Sequence, residues 1–517
     1  MKLEPIIGLE IHVQLKTESK MFCSCDNSGE DKPANTTICP VCTGHPGTLP
    51  AANLQAVKWS VMAAAALNCE IPTFTKFDRK HYFYPDLPKG YQISQYDKPI
   101  GIKGYLDIES DQAGTKKGKR RINITRLHLE EDAAKNFHSP DGRETYVDYN
   151  RAGTPLMEIV TEPDLRSSEE AKTFMQELRL IMRYLNISDA DMEKGHLRCD
   201  ANISLSQTDG NKNGSKKLNP KTEIKNINSF NAVKRALDYE ISRQTKLWQE
   251  GNPPKVQSTR GWDEDKGMTE EQRTKEEAQD YRYFPEPDLP PIKFYETDSA
   301  IDVEKIKREL PESPQQKRKR FSEQYEMPAD QARIITEDKL LASYTEAVIS
   351  ELTSWLADSG EMEGTAEEIW EKNKGKISKL AAKWITNRLL FYLNRDNIKI
   401  SDCKISAENF AEFITIVYGN RINQTTAMKI LDEMYQTGKD PSDVMEENDF
   451  AQIDDLAKIK EAVKKAIDAN PLQVKQFKAG KVTIIQYLIG QVMKETKGKA
   501  NPKIVRELLE EELKSAD

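Results

Sequence analysis

Several common features are absent from this 517-residue sequence, or scarce in it. The longest apolar run, Val61 to Leu67, is far too short to cross a bilayer. Met1-Lys2-Leu3 leads directly into a strand-like segment, so we expect no signal peptide. The sequence contains no Gly-x-x-x-x-Gly-Lys-Ser/Thr phosphate loop, no Gly-x-Ser-x-Gly elbow and no glycine- and serine-rich amidase signature. These absences argue against a membrane protein, a P-loop enzyme and a serine hydrolase.

Cysteine is also scarce, with seven residues, and four of them lie within one short segment. Cys23 and Cys25 form one pair, and Cys39 and Cys42 form a second pair thirteen residues later. Four thiolates in two close pairs can surround a zinc ion as a tetrahedron, which leaves no open position for substrate. A redox dithiol or two disulfides are alternative interpretations. With the other cysteines reduced, the expected compartment is the cytoplasm.

Composition and proline placement predict several domains in an α+β fold. The length suits two to four domains, and the net charge of −8 argues against a surface that binds nucleic acid throughout. Four prolines between positions 285 and 291 interrupt regular structure, with period-two alternation before them and helical periodicity after them. We predict an antiparallel-sheet-rich domain at residues 1–292, an all-α body at 293–440 and a small all-α tail at 441–517.

Two helices are clearly indicated within the first domain. Ser167 and Glu170 have the spacing of a capping box ahead of an amphipathic run. A second amphipathic helix is predicted from about Ser229 to Trp248.

Polar side chains occupy alternate positions of several predicted strands. In residues 7–15 every odd position is apolar, and residues 197–205 and 222–225 show the same alternation. A further candidate is residues 128–132, at the end of a strand-like run. One polar face would then collect five side chains: Glu10, His12, Glu131, Asp200 and Glu223. Carboxylates with a single imidazole suit magnesium better than zinc, and magnesium points to a nucleotide phosphate. The alternative is that these are the solvated faces of ordinary strands.

Longer strings of mixed residue type support a resemblance to a known family. They read GLEIHVQ at 8–14, KFDRKHYFYPD at 76–86, KGYQISQ at 89–95, RLHLEED at 126–132, DYNRAGTPLME at 148–158, RCDAN at 198–202 and DYRYFPEPD at 280–288. Two tail strings, GQVMK at 490–494 and GKANP at 498–502, look like a YqeY-like end. With these strings in order, the chain closely resembles the B subunit of the bacterial aspartyl/glutamyl-tRNA amidotransferase over nearly its whole length.

The resemblance implies a two-step reaction on misacylated tRNA. ATP would phosphorylate the side-chain carboxylate of Glu on tRNA(Gln) or of Asp on tRNA(Asn), and ammonia would then displace phosphate. The implied partners are an amidase (glutaminase) subunit, which releases ammonia from glutamine, and a small linker subunit. The implied cofactors are ATP and Mg²⁺, with structural Zn²⁺ in a catalytic cradle domain. A non-catalytic, zinc-containing tRNA adaptor is the alternative function.

The resemblance also gives roles to particular residues. Glu10, His12, Glu131, Asp200 and Glu223 match positions associated with the divalent ion and the kinase site. Lys80 and Glu130 lie in strings that line the family's ammonia route, although Lys80 could instead pair with Asp78 or Asp86 at the surface.

A basic segment in the tail suggests where tRNA would bind. Residues 471–506 hold eight Lys or Arg and one acidic residue, Glu495. Such a cluster suits phosphate contacts, although a solvated helix face would look similar. The residues expected to contact tRNA are Lys494, Lys497, Lys499 and Lys503.

Overall fold

The structure is a computed structural model. It describes residues 3–110, 118–207, 218–275, 281–296, 299–358, 365–448, 450, 456–478, 481, 483–496 and 499–515. The chain divides into two compact units, Met1–Pro314 and Gln315–Asp517. The domain boundaries expected after residues 292 and 440 stay predictions. In the described residues, no helix combines the length and the apolar character that a membrane span requires.

The first unit contains all the strands of the described residues. They are β1 Leu3–Gln14, β2 Phe74–Thr75, β3 Asp78–His81, β4 Tyr91–Ser94, β5 Gly101–Ser110, β6 Gly118–Glu131, β7 Lys135–His138, β8 Thr145–Asp148, β9 Pro155–Thr161, β10 Leu197–Gln207, β11 Thr222–Ile227, β12 Gln257–Asp263, β13 Met268–Lys275, β14 Phe284–Pro285 and β15 Ile292–Lys293. Eight of them form one sheet in the order β13-β12-β11-β10-β1-β9-β6-β5. All neighbours in this sheet are antiparallel except β11 and β12, which are parallel. The long connection through a helix between β11 and β12 makes a parallel pair possible.

Helices cover one face of this sheet. They are α1 Leu54–Ala66, α2 Ser168–Tyr184 and α3 Phe230–Gln249, followed by the short α4 Val303–Arg308. The alternation predicted for β1 is present, because its apolar residues from Ile7 to Val13 are fully or almost fully buried in a core shared with the helices. The opposite face of β1 carries the polar residues. The helices therefore lie on the side of the sheet opposite to these polar side chains.

Both helices predicted in the first unit are present, and their caps can be compared with expectation. Ser229 caps α3 by accepting from the backbone N–H of Ala232. Ser167 caps α2 by accepting from the N–H of Glu170. The Glu170 carboxylate does not complete a capping box, since it accepts from the N–H of Arg166 and from Ser110 Oγ. Ser110 on β5 competes for this carboxylate, which explains why the predicted capping box does not form.

The second unit is helical, which together with the sheet of the first unit confirms the predicted α+β class. Its helices are α5 Pro314–Gln324, α6 Ala329–Thr336, α7 Lys339–Asp358, α8 Ala366–Trp384, α9 Leu390–Asp396, α10 Ala407–Tyr418, α11 Gln424–Thr437, α12 Pro441–Glu447, α13 Leu456–Ala469, α14 Pro471–Lys478, α15 Ile484–Glu495 and α16 Pro502–Ser515. A π-helical turn, Ile385–Leu389, joins α8 to α9. The buried apolar residues of the second unit form two clusters, one between residues 321 and 444 and one between residues 459 and 513.

A buried carboxyl group in the second unit makes stability depend on pH. Burial raises the pKa of Glu412 on α10 from 4.5 to about 7, and Asp440 adds to the rise, while a hydrogen bond from Ser442 Oγ opposes it. Because the folded pKa is raised, the stability that the protonated group contributes is complete below 4.5 and is lost as pH rises through about 7.

Glu412→Gln, which stays neutral, should therefore remove this pH dependence. Thermal unfolding of the full chain between about pH 5 and about pH 8 should show a smaller loss of stability with rising pH in the variant than in the parent. Glu408→Gln, at an exposed position of the same helix, is the matched control. Parallel pH profiles for Glu412→Gln and the parent would contradict the prediction.

Candidate active site and metal centres

The polar face of the sheet is assembled by the register of β1 with its two neighbours. His12 lies opposite Arg198 of β10 and opposite Glu158 of β9, and Glu158 in turn lies opposite His128 of β6. Side chains directly opposite one another on neighbouring strands point to the same face. The four strands therefore place Arg198, His12, Glu158 and His128 in one row across the sheet.

Two carboxylates face two imidazoles within this row. Glu158 Oε2 lies 3.5 Å from His12 Nε2 and 3.4 Å from His128 Nε2. Glu130 on β6 lies 3.7 Å from the Nε2 atoms of both histidines. The side chains of Glu130, Glu158 and His128 are 3–5% exposed, whereas that of His12 is 19% exposed. His12 therefore marks the side of the cluster that solvent and a ligand can reach.

The cluster offers two sets of ligand atoms that could hold a metal ion. One is Glu10, His12 and Glu158, and the other is His128, Glu130 and Glu158; in each set the atoms lie within 4.8 Å of one another. The second set is buried throughout, while Glu10 and His12 are only partly buried. Two carboxylates and one imidazole suit magnesium or manganese. In the first set, Glu10 and His12 are the members that solvent can reach.

The pKa values in this cluster are shifted because its carboxylates and imidazoles are buried close together. Burial alone would lower the pKa of His12, but its hydrogen bond with Glu158 and the nearby carboxylates raise it to about 9. The pKa of Glu10 is raised by burial and by the charge of Glu158. His128 and His12 hold the pKa of Glu158 below its usual range despite burial. A proton on His12 thus compensates the carboxylates, and a divalent cation at the same place would do so more completely.

Asp200 and Glu223 extend the polar face on the other side of β1. Asp200 lies opposite Glu10, and Lys225 Nζ lies 2.6 Å from Asp200 Oδ2 and 3.5 Å from Glu223 Oε1. Thr259 Oγ1 donates to Glu223 Oε2 at 2.9 Å. Four of the five residues predicted for the magnesium site therefore share one face, but Lys225 already neutralises two of them.

The fifth predicted residue, Glu131, is directed elsewhere. Its carboxylate accepts from Lys89 Nζ and from the backbone N–H of Ile93 at 2.9 Å. Along β6 the alternation puts His128 and Glu130 on the polar face, so Glu131 at the strand end belongs to the other face. This geometry does not support Glu131 as a ligand of the same cation as Glu10 and His12. Strict period-two counting through residues 128–131 would have separated the two glutamates.

Glu158 is a central residue of this site to which the sequence analysis gave no role. It is the only charged residue in β9, whose other members are apolar or threonine apart from the initial proline. A single carboxylate in a buried strand must be paired. That isolation was the signal available in the sequence.

Lys80, on β3, is surrounded by aromatic rings. Its Nζ lies 4.9 Å from the ring centre of Tyr281 and 6.0 Å from that of Tyr82. Burial alone would lower the pKa of Lys80, but Glu130 and its neighbours raise it above the usual range. Asp78, the surface partner considered for Lys80, lies 2.5 Å from Lys76 Nζ instead. Lys80 and Glu130 therefore interact electrostatically, and aromatic rings line the surroundings of Lys80.

The four clustered cysteines converge in the segment between β1 and α1, residues 15–53, here called the cysteine loop. The Sγ atoms of Cys23, Cys25, Cys39 and Cys42 lie within 4.8 Å of one another, and all four are free thiols. A tetrahedron of sulfurs around zinc has edges of about 3.8 Å, so only a small contraction is needed. The backbone N–H of Cys39 donates to Cys42 Sγ at 3.2 Å. A hydrogen bond from Cys23 lowers the pKa of Cys42 to about 5. The residues therefore fit a structural zinc ion.

The lysines expected to bind tRNA lie in the last two helices and between them. Lys494 is exposed in the last turn of α15, Lys503 is exposed near the start of α16, and Lys499 is partly buried between these helices. Lys497 lies outside the described residues.

Comparison with known proteins gives matches over most of the chain. A family model described as the GatB/GatE catalytic domain matches residues 5–299, and one described as the GatB domain matches residues 365–513. Similar proteins include those named as the B subunit of aspartyl/glutamyl-tRNA(Asn/Gln) amidotransferase from Thermodesulfovibrio yellowstonii, Persephonella marina and Thermotoga neapolitana. The first is 45% identical over 98% of this chain and 99% of its own length. The other two are 44% and 45% identical, each over 99% of this chain and 100% of their own length.

The cluster geometry predicts that Glu158 is required for a divalent ion to bind. Glu158→Gln should weaken binding of Mn²⁺, used as the probe, by about tenfold or more, since it removes a charged ligand shared by both sets. Titration of the full chain followed by electron paramagnetic resonance would measure free Mn²⁺. The control is Glu162→Gln, at an exposed position beyond the end of β9. Equal affinity in Glu158→Gln and the parent would exclude this cluster as the site.

Proposed function

Because the chain belongs to the family of aspartyl/glutamyl-tRNA(Asn/Gln) amidotransferase B subunits, we propose that it activates and amidates an amino acid on misacylated tRNA. The substrates would be Glu on tRNA(Gln), Asp on tRNA(Asn), or both. The observation that carries this proposal is the half-open set of Glu10, His12 and Glu158 on the polar face of the sheet. That set supplies a place for a cation and a nucleotide phosphate without a glycine-rich loop.

The proposed chemistry has two steps. A substrate carboxylate oxygen attacks the γ-phosphorus of ATP, ADP leaves, and an acyl phosphate forms. Ammonia then attacks the acyl carbon, inorganic phosphate leaves, and the amide remains after loss of a proton. The first step is needed because a carboxylate is a poor electrophile with no acceptable leaving group. This reaction forms a carbon–nitrogen bond and makes the protein a ligase that acts within a complex.

The residues of the polar face would divide the work of phosphoryl transfer. Glu10, His12 and Glu158 would hold Mg²⁺, which when bound neutralises charge on the transferred phosphoryl group. Arg198 lies beside His12 and is held by Asp132, with Nη2 2.5 Å from Oδ2. It would bind phosphate oxygens from the side opposite Glu158. Asp200 and Glu223 would position Lys225 beside the same face.

Ammonia delivery would use the environment of Lys80 and Glu130. Ammonia must stay neutral and away from bulk water, and the rings of Tyr82 and Tyr281 provide such a lining around Lys80. Glu130 lies at the inner end, 3.7 Å from His12, where it could accept the proton that the attacking ammonia loses. We propose that a separate amidase (glutaminase) subunit supplies this ammonia from glutamine and that a small linker subunit joins the same complex. The cytoplasmic location inferred from cysteine usage remains a prediction.

The basic residues of the tail would hold the tRNA. Lys494 and Lys503 are exposed, as phosphate contacts require. The cysteine loop would bind zinc and have a structural role, since four cysteines leave no open coordination position. A non-catalytic zinc-containing adaptor would need both of these features and would not need the cluster around Glu158. The two functions therefore differ in what happens when that cluster is changed.

The proposed activation step predicts that Asp200→Asn and Glu158→Gln abolish ADP formation. The assay would use the complex reconstituted with its amidase and linker subunits, and with each misacylated tRNA in turn. We expect a loss of at least about a hundredfold in rate, because charge stabilisation at the phosphoryl group is a major part of catalysis. Glu162→Gln should behave like the parent. Full ADP formation by both cluster variants would favour the adaptor.

The tail assignment predicts a change in tRNA affinity and in its salt dependence. Lys494→Glu combined with Lys503→Glu should weaken binding at low salt and reduce the slope of log affinity against log salt by about two. The control is Lys103→Glu, an exposed lysine on β5. Binding isotherms at several salt concentrations would measure both quantities. An unchanged slope would show that these two lysines do not contact the tRNA phosphates.

A further inference from the structure

One lysine of the cysteine loop is completely buried. The side chain of Lys20 is 0% exposed, and it is among the largest fully buried side chains of the described residues. Removing an ammonium group from water costs several kcal/mol unless an anion or a set of acceptors replaces the water. A buried lysine in a loop therefore requires a compensating charge nearby.

The neighbours of Lys20 identify that charge. Its Nζ donates to Cys42 Sγ at 3.9 Å and to the backbone carbonyl of Tyr149 at 3.4 Å. Among the described residues, no carboxylate forms an ion pair with Lys20. The cysteine cluster is therefore the group beside Lys20 that can supply the compensating negative charge.

The charge of the cluster depends on whether a metal is bound. Zinc with four thiolates carries a net charge of −2, which is more negative charge than the metal-free cluster holds. The buried ammonium group of Lys20 is therefore better compensated beside the loaded cluster than beside the metal-free one. We propose that Lys20 is the counter-cation of the zinc-loaded cysteine cluster and a positioning residue that ties this cluster to the entry of β9. The proposal depends on the zinc site proposed above.

The connection to β9 runs through the segment that precedes it. A Cβ on Gly153 would lie 3.5 Å from Lys20 Cδ and 3.4 Å from the Cβ of Cys42, so this segment packs against both residues. The φ of +84° at Gly153 favours glycine there. The N–H of Met21 donates to the carbonyl of Gly153 at 2.7 Å, and the N–H of Gly153 donates to that of Asp132 at 2.9 Å. Binding of zinc to the cluster would therefore stabilise the segment at Gly153. This segment lies two residues before β9, the strand that carries Glu158.

A substitution that removes the charge but keeps the length tests this role. Lys20→Met should lower the affinity of the full chain for Zn²⁺ by about tenfold or more, measured by competition with a chromogenic chelator. Lys20→Arg, which retains the charge, should lose less. The control is Lys32→Met, a partly exposed lysine of the same loop that pairs with Asp26, and it should match the parent. Replacement of zinc by Co²⁺ would report thiolate coordination directly through its absorption.

Thermal unfolding with and without zinc distinguishes this role from simple packing. With zinc bound, Lys20→Met should unfold at a lower temperature than the parent, because the cluster loses its counter-cation. After removal of zinc, the difference should become clearly smaller, because the parent then buries a less well compensated charge. A structural role through packing alone would give the same destabilisation in both conditions.

The outcomes separate the two proposals. If the parent chain binds neither zinc nor Co²⁺, the zinc site itself is wrong. If the parent binds zinc and Lys20→Met binds it equally well, the role of Lys20 is overturned while the zinc site stands. If Lys20→Met does not fold, the Lys20→Arg variant tests the role of the charge. A zinc affinity of Lys20→Arg far below that of the parent, despite the retained charge, would overturn this role.

Discussion

The candidate active site depends on the pairing of β1 with β10 on one side and β9 on the other. This register places His12 opposite both Arg198 and Glu158. Because side chains alternate with period two, a shift by one residue would turn His12 and Glu10 into the apolar core and bring Ile11 to the polar face. The burial of Ile7, Leu9, Ile11 and Val13 opposes such a shift. The hydrophobic core on one face thus maintains the alignment of charged groups on the other.

Charge compensation explains how this polar face can exist inside a folded protein. The buried carboxylates of this face have a cation or an imidazole beside them: Glu158 has His12, His128 and Arg126, and Glu223 has Lys225. Glu10 differs, because no ion pair of the described residues includes it and its pKa is raised. An uncompensated carboxylate beside His12 is where an additional cation is most favourable. The same principle applies to Lys20, where the excess charge is positive and the compensating group is the cysteine cluster.

The two candidate metal centres therefore have different roles in the molecule. The cysteine cluster is closed by its four ligands and lies in a loop that contacts the start of β9 through Gly153. The cluster around Glu158 is partly open and lies on the face of the sheet. One centre can stabilise the strand that carries a ligand of the other. In the proposed function, stability and chemistry would thereby depend on separate ions within one unit of the chain.

Local sequence patterns were enough to predict which side chains of a strand share a face, where the main helices begin, and that four cysteines lie close enough to meet. These properties are local: alternation along residues 7–15, caps at Ser167 and Ser229, and short spacing between thiols. Which strands are neighbours could not be predicted from such patterns, because pairing between distant segments depends on packing of the whole core. Folding brought Glu158 to His12, paired Glu131 with Lys89, and buried Lys20 beside Cys42. Each of these contacts joins segments that no local pattern connects.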